Sequence, residues 1–164
     1  GASAATPRID CALVALEAAR EGDLLEHRSV AMASYESFEV LGQGTTGVVF
    51  SALRKSDLRK VALKVMRISD EELLMMAREE YDILRSLEHP NIVRVQDFFT
   101  FSMGAVLVLD WFPSKTLDAA IRDTPKRRAT EAIARSLFRK LMEAVCYLHE
   151  RGIIHRDIKA PNIL

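Results

Sequence analysis

The order of sequence periods predicts an α+β fold with its sheet laid down early and its helices late. Three observations carry this. Short β-prone runs follow one another from Tyr35 to about 112, a single 3.6-residue apolar pattern interrupts them at 70–87, and only helical patterns follow 113. The chain has 164 residues, 49% hydrophobic and 28% charged, so it suits one packed domain rather than a disordered segment. A formal net charge of +0 gives no support for a nucleic-acid or anionic-membrane partner.

Residues 1–34 read as a helical extension, the tail of another domain, or a linker. Thr6-Pro7 has the form of a helix cap followed by proline in the first turn, and a stripe through Leu13 and Leu16 runs to about Arg20. No basic stretch followed by an apolar core marks a signal peptide, and no apolar run approaches the ~20 residues of a membrane span. Cys11 and Cys146 lie far apart without metal or redox spacing, which predicts a reduced intracellular, cytoplasmic setting. The initial Gly and the abrupt end at Leu164 suggest that both ends are cuts.

From Tyr35 the texture becomes β. "FEVLG" and "GVVFSAL" are joined through Gly42, Gly44 and Gly47, and "KVALKVM" follows. In that third run Val61, Leu63 and Val65 share one face, while Ala62, Lys64 and Met66 share the other. "NIVRVQDFFTF" and "AVLVLDWF" supply two more strands. A short helix is expected near Leu117–Asp123, then a solvated basic loop "KRR" at 126–128. A long helix follows from about Thr130 to Arg151, with Ile133, Leu137, Leu141, Ala144, Val145 and Leu148 inward. Cys146 falls near that inward face and is expected to be inert.

The glycine spacing G-x-G-x-x-G allows backbone amides to approach a phosphate chain. Taken alone it is equally a tight hairpin. In a dinucleotide fold it would open a helix, but here it links two strands, which points to a flap over phosphates. On the helical pattern at 70–87, Glu80 occupies the centre of a stripe formed by Leu73, Met76, Leu84 and Leu87. A carboxylate there predicts a buried cation partner, and Lys64 on the preceding strand is the candidate. The same wheel puts Met76 in the core, with Met75 and Glu79 outside. His89 is expected to make a structural hydrogen bond in the "HPN" turn, and His27 and His149 have no evident partners. The third constellation is "HRDIKAPN", His155–Asn162, where Pro161 excludes an ordinary helix and several polar residues share one short loop.

"LGQGTTGVVF", "VALK", the helix glutamate before "LEHPNIV", "LVLDWF" and "HRDIKAPN" together resemble a eukaryotic protein kinase domain, in that family's order, from 35 to 164. The resemblance implies a five-stranded antiparallel N-lobe with one helix over about 35–109 and a hinge at 110–112. The first helices of an incomplete helical C-lobe would occupy 113–164. It implies ATP and Mg2+ as cofactors, with Leu41, Gly42, Gly44, Gly47, Val49 and Ala62 around the nucleotide. Lys64, oriented by Glu80, would hold the α- and β-phosphates. Leu109, Asp110 and Phe112 would border the adenine, Leu109 as gatekeeper. Asp157 would accept the substrate hydroxyl proton, Lys159 would neutralise charge on the γ-phosphoryl group, and Asn162 would bind the metal.

Lys159 resembles the serine/threonine branch, and "HRDIKAPN" is similar to calcium/calmodulin-dependent and related kinases. Arg156 resembles the arginine that pairs with a phosphorylated activation loop, which implies an upstream activating kinase. Thr116 and Pro161 stand where family members that select basic substrates carry glutamates, so a basic preference is not expected. No Asp-Phe-Gly segment or activation loop lies within the 164 residues, so this stretch alone is expected to be inactive. Three readings follow: part of an active kinase acting on a protein substrate, a pseudokinase or ATP-binding regulatory module, or a truncated product that sequesters partners.

Overall fold

The computed structural model describes residues 34–44, 47–68, 70–101, 104–124 and 128–164. The expected N-terminal helix, Cys11, His27, and Lys126 with Arg127 of the basic loop lie outside these residues. The described chain divides into two compact units. One comprises the residues up to Ser86 together with Arg94–Trp111, and the other Leu87–Val93 together with Phe112–Leu164.

The first unit is the predicted five-stranded antiparallel sheet. Its strands are β1 (Tyr35–Gly44), β2 (Gly47–Arg54), β3 (Arg59–Arg67), β4 (Val95–Phe101) and β5 (Gly104–Asp110), in the spatial order β1-β2-β3-β5-β4. Partners across an antiparallel ladder share a face. Phe50 opposite Leu63, and Ala52 opposite Val61, therefore join Tyr35, Val106 and Val108 in one apolar cluster. Met66, Ala105, Leu107, Val95 and Phe98 form a second cluster on the opposite face. β5 is buried on both faces, which is why "AVLVL" is continuously apolar instead of alternating.

The second cluster is closed by α1 (Glu71–Arg85). Asp70 caps the helix by accepting from the Leu73 amide at 2.8 Å, and Glu71 and Glu72 favour the positive end of the helix dipole. The face this helix buries differs from the predicted one. Ala77 and Tyr81 are buried, with Leu74 and Leu84 packed beside them, whereas Leu73 and Met76 are 45% and 58% exposed and Glu80 is exposed. The segment carries two overlapping stripes, 73–76–80–83 and 74–77–81–84. The second goes inward because the Tyr81 ring stacks on Phe98, with centroids 5.2 Å apart. Met76 is thus surface, like Met75. Leu87 is buried, but it lies beyond the helix in the second unit.

Gly47 sets the β1–β2 turn. Its φ of +144° is one that side chains disfavour, and a Cβ there would overlap the Val65 carbonyl oxygen. Gly42 differs, since a Cβ at that position would meet nothing within 4 Å.

In the second unit α2 (Leu117–Arg122) and α3 (Glu131–His149) are capped by Thr116 and Thr130. α3 buries Ala144 and Leu148 and half-buries Leu137, Leu141 and Val145, as its pattern predicts. Ile133 is instead 54% exposed, and Cys146 is an exposed thiol one step off the inward stripe. The turn 87–93 is latched to α3. The Glu88 amide donates to the Tyr147 hydroxyl at 2.9 Å, and the Asn91 amide group donates to the Lys140 carbonyl and the Glu143 carboxylate. Within that turn His89 Nδ1 accepts from the Asn91 backbone N–H at 3.1 Å, the structural role expected of it. No helix among the described residues is long and apolar enough to cross a membrane.

The two stripes of α1 separate under mutation. Tyr81→Ala should cost about 3 kcal/mol by removing a buried aromatic ring, while Met76→Ala should stay within about 0.5 kcal/mol. Denaturant midpoints measure both.

Candidate active site

Strand register builds one candidate site within the first unit. Val49 lies opposite Lys64, and Ala62 opposite Leu109, so all four side chains stand on one face of the sheet. Gly42 pairs with Val49 and Gly44 with Gly47, which brings the glycine residues alongside that row in the sheet. Ala62 is buried, Val49, Lys64, Leu109 and Asp110 are half-buried, and Leu41 is 52% exposed beside the turn. A small apolar floor is thus bordered by one ammonium group and by the exposed Gly42. Phe112, 45% exposed, belongs to the second unit.

The expected partner of Lys64 is not beside it. Among the described residues no ion pair joins Lys64 to Glu80, because Glu80 lies on the exposed side of α1 while Tyr81 holds the inward position. Lys64 is left half-buried, and its ammonium group has no carboxylate or hydrogen-bond partner among the described residues.

A separate candidate site, within the second unit, is a closed loop of polar contacts at 155–162. The Asn162 amide donates from Nδ2 to both the backbone carbonyl and Oδ2 of Asp157, each at 2.9 Å. Lys159 Nζ lies 2.9 Å from the other carboxylate oxygen, Oδ1. The Asp157 backbone N–H donates to His155 Nδ1 at 3.3 Å. Arg156 takes a left-handed φ of 63°, which reverses the chain between them. A 3-10 turn, Ala160–Asn162, with Pro161 inside it, then brings Asn162 back to Asp157. The Ile163 carbonyl ties this loop to the start of α2 through the Leu117 amide at 2.7 Å.

Lys159 first, and then Asn162, hold the Asp157 carboxyl below its ordinary value of 3.8. Since Asn162 donates through its nitrogen, its side-chain oxygen is the atom left to face a cation. Among the described residues no group of three or more His, Cys, Asp or Glu side chains could hold a metal unaided. A cation bound here would therefore need further oxygen ligands, such as phosphate oxygens.

The family described as "Protein kinase domain" matches residues 35–164. The chain belongs to the protein kinase family. It is 41% identical over 133 residues to NUAK family SNF1-like kinase 2 of Rattus norvegicus, a match covering 79% of this chain and 21% of that protein. It is 35% identical over 130 residues to calcium/calmodulin-dependent protein kinase type IV of Mus musculus, covering 77% and 27%. It is also 35% identical over 152 residues to the probable CTD kinase subunit alpha homolog of Encephalitozoon cuniculi (strain GB-M1), covering 91% and 44%. The chain thus spans only part of the length of these kinases.

The depressed Asp157 carboxyl gives the kinase loop a pH signature. Its ionised form is favoured in the fold, so this contribution is complete above 3.8 and is lost as pH falls through the lower folded value. Lys159→Met should shift the Asp157 carboxyl-carbon titration upward in an NMR experiment.

Proposed function

We propose that this chain contributes the nucleotide-binding sheet and the catalytic loop of a serine/threonine protein kinase. The observation that carries the reading is the Asp157–Lys159–Asn162 contact set, in which one exposed carboxylate is aimed and kept ionised by two neighbours. Two features fit ATP with magnesium. Among the described residues the Lys64 ammonium group has no partner on the face it shares with Val49 and Ala62, and the space around Gly42 is open for close backbone approach to phosphate. Bound MgATP supplies the phosphoryl group and partly neutralises its charge.

In this reading Lys64 grips the α- and β-phosphates, while Leu41, Gly42, Gly44, Gly47, Val49 and Ala62 enclose the nucleotide. Leu109, Asp110 and Phe112 border the adenine. Asp157 orients the substrate serine or threonine hydroxyl and takes its proton as the oxygen attacks the γ-phosphorus and the bond to ADP breaks. Lys159 offsets negative charge on the transferring group, and Asn162 contributes its side-chain oxygen to the metal. Positioning and charge compensation suffice for a loose phosphoryl transfer. Arg156, set by its left-handed backbone, would receive the phosphorylated activation loop of the longer protein. Glu80 would orient Lys64 only after α1 turns to bring it inward.

A second reading, an ATP-binding module without transfer, is favoured by that unmade Lys64–Glu80 contact. Phosphoryl-transfer assays on the full-length protein separate the two. Lys64→Met and Asp157→Asn should each lower kcat by about a thousandfold, and Glu80→Gln by the order of tenfold. A wild-type protein that binds ATP but transfers nothing would overturn the first reading in favour of the second.

A further inference from the structure

Two residues at the end of β5 are held by side-chain chains that approach from opposite faces of the sheet. Asp110 lies opposite Val61, so it stands on the face of the Phe50, Ala52 and Val61 cluster, which also carries Arg54. There the Asp110 carboxylate accepts from Gln96 Nε2. Gln96 Oε1 accepts from Arg54 Nη1 at 2.7 Å, and Arg54 makes a two-pronged contact with Asp57 at 3.0 and 2.8 Å. That pairing draws the Asp57 carboxyl from 3.8 down to about 2. The Asp110 backbone N–H also donates to the Arg94 carbonyl at 2.9 Å.

Trp111 follows on the opposite face, with Ala62 and Leu109. The Lys60 ammonium sits 4.5 Å from its ring centroid and simultaneously 3.2 Å from Glu39 Oε2. Glu39 in turn accepts from the Oγ of Ser51, a fully buried hydroxyl, at 3.3 Å. Strands β1, β2 and β3 are thus tied to Trp111 on one face, and β2 and β4 to Asp110 on the other. All of these residues lie in the first unit.

We propose that Gln96 and Lys60 are positioning residues for nucleotide binding. They would clamp Asp110 and Trp111 from the two faces, so that the backbone of this segment is already ordered when the adenine arrives. The inference deepens the proposed ATP site and depends on it. Preordering a binding segment raises affinity because less freedom is lost on association. The chemical step, performed by Asp157, is untouched, so the clamp predicts a change in ATP affinity without a change in kcat.

Gln96→Met keeps length but removes both hydrogen bonds, Lys60→Met removes the cation over the ring, and Lys60→Arg restores one. In the nucleotide-free full-length protein, amide exchange at Asp110 and Trp111 should accelerate in both methionine variants and return toward wild type in Lys60→Arg. In the same variants the Kd and KM for ATP should rise by about tenfold, with kcat held within about twofold and with Lys60→Arg rescued. Unchanged exchange would overturn the clamp. Faster exchange with unchanged ATP affinity, or a kcat loss matching the affinity loss, would overturn its positioning role. A wild-type protein that failed to bind ATP at all would overturn the nucleotide reading itself, whatever the exchange rates showed. Lys60 is partly exposed, with a side-chain exposure of 34%, so its variants keep the test open should Gln96→Met fail to fold.

Discussion

The pairing of β3 between β2 and β5 is the constraint on which the rest of the first unit depends. An antiparallel register slipped by one residue would exchange its two faces. Val61 and Leu63 would leave their core, and Ala62 and Lys64 would leave the row they form with Val49 and Leu109. Burial on both faces makes such a slip costly, since nearly every side chain of β5 has an apolar environment to lose. Lys64 is thus placed by the same apolar packing that stabilises the sheet. Gly47 completes the arrangement, because only a residue without a side chain can turn so closely beneath the Val65 carbonyl.

The loop at 155–162 depends on a different kind of interaction. It has little burial, and its order comes from a short circuit of polar contacts among Asp157, Lys159, Asn162 and His155. Exposed ion pairs taken singly contribute little, but here they share one carboxylate and are joined by a proline-containing turn that limits the backbone. The Ile163–Leu117 hydrogen bond and the latching of Asn91 to α3 show the second unit organised by polar ties between loops and helix ends.

How much of this was legible in the sequence varies with how local the signal is. The five strands and the helix breaks follow from neighbouring residues, and they appear where the patterns put them to within a few residues. The spacing of the "HRDIKAPN" loop marked Asp157, Lys159 and Asn162 as candidates because its polar residues are concentrated in eight consecutive positions. The face of α1 was not legible, since two apolar stripes overlap on it and the choice is made by Phe98, a residue on a later strand. Gln96 gave no signal at all: a polar residue in a half-exposed strand is ordinary, and its two partners lie 42 and 14 residues away.

The sequence by itself determined the class of fold, the order of its elements, membership of the protein kinase family and the identity of the loop residues, because each is written in local period or in short-range spacing. Only the tertiary structure decided which side of α1 is buried, that Lys64 and Glu80 stand apart, that Ile133 and Cys146 are exposed, and that Asp110 and Trp111 are held from two faces. These outcomes turn on which surfaces meet across strands and helices. Packing of a ring such as Tyr81 against Phe98 selects among alternatives that the chain, read residue by residue, leaves equally open.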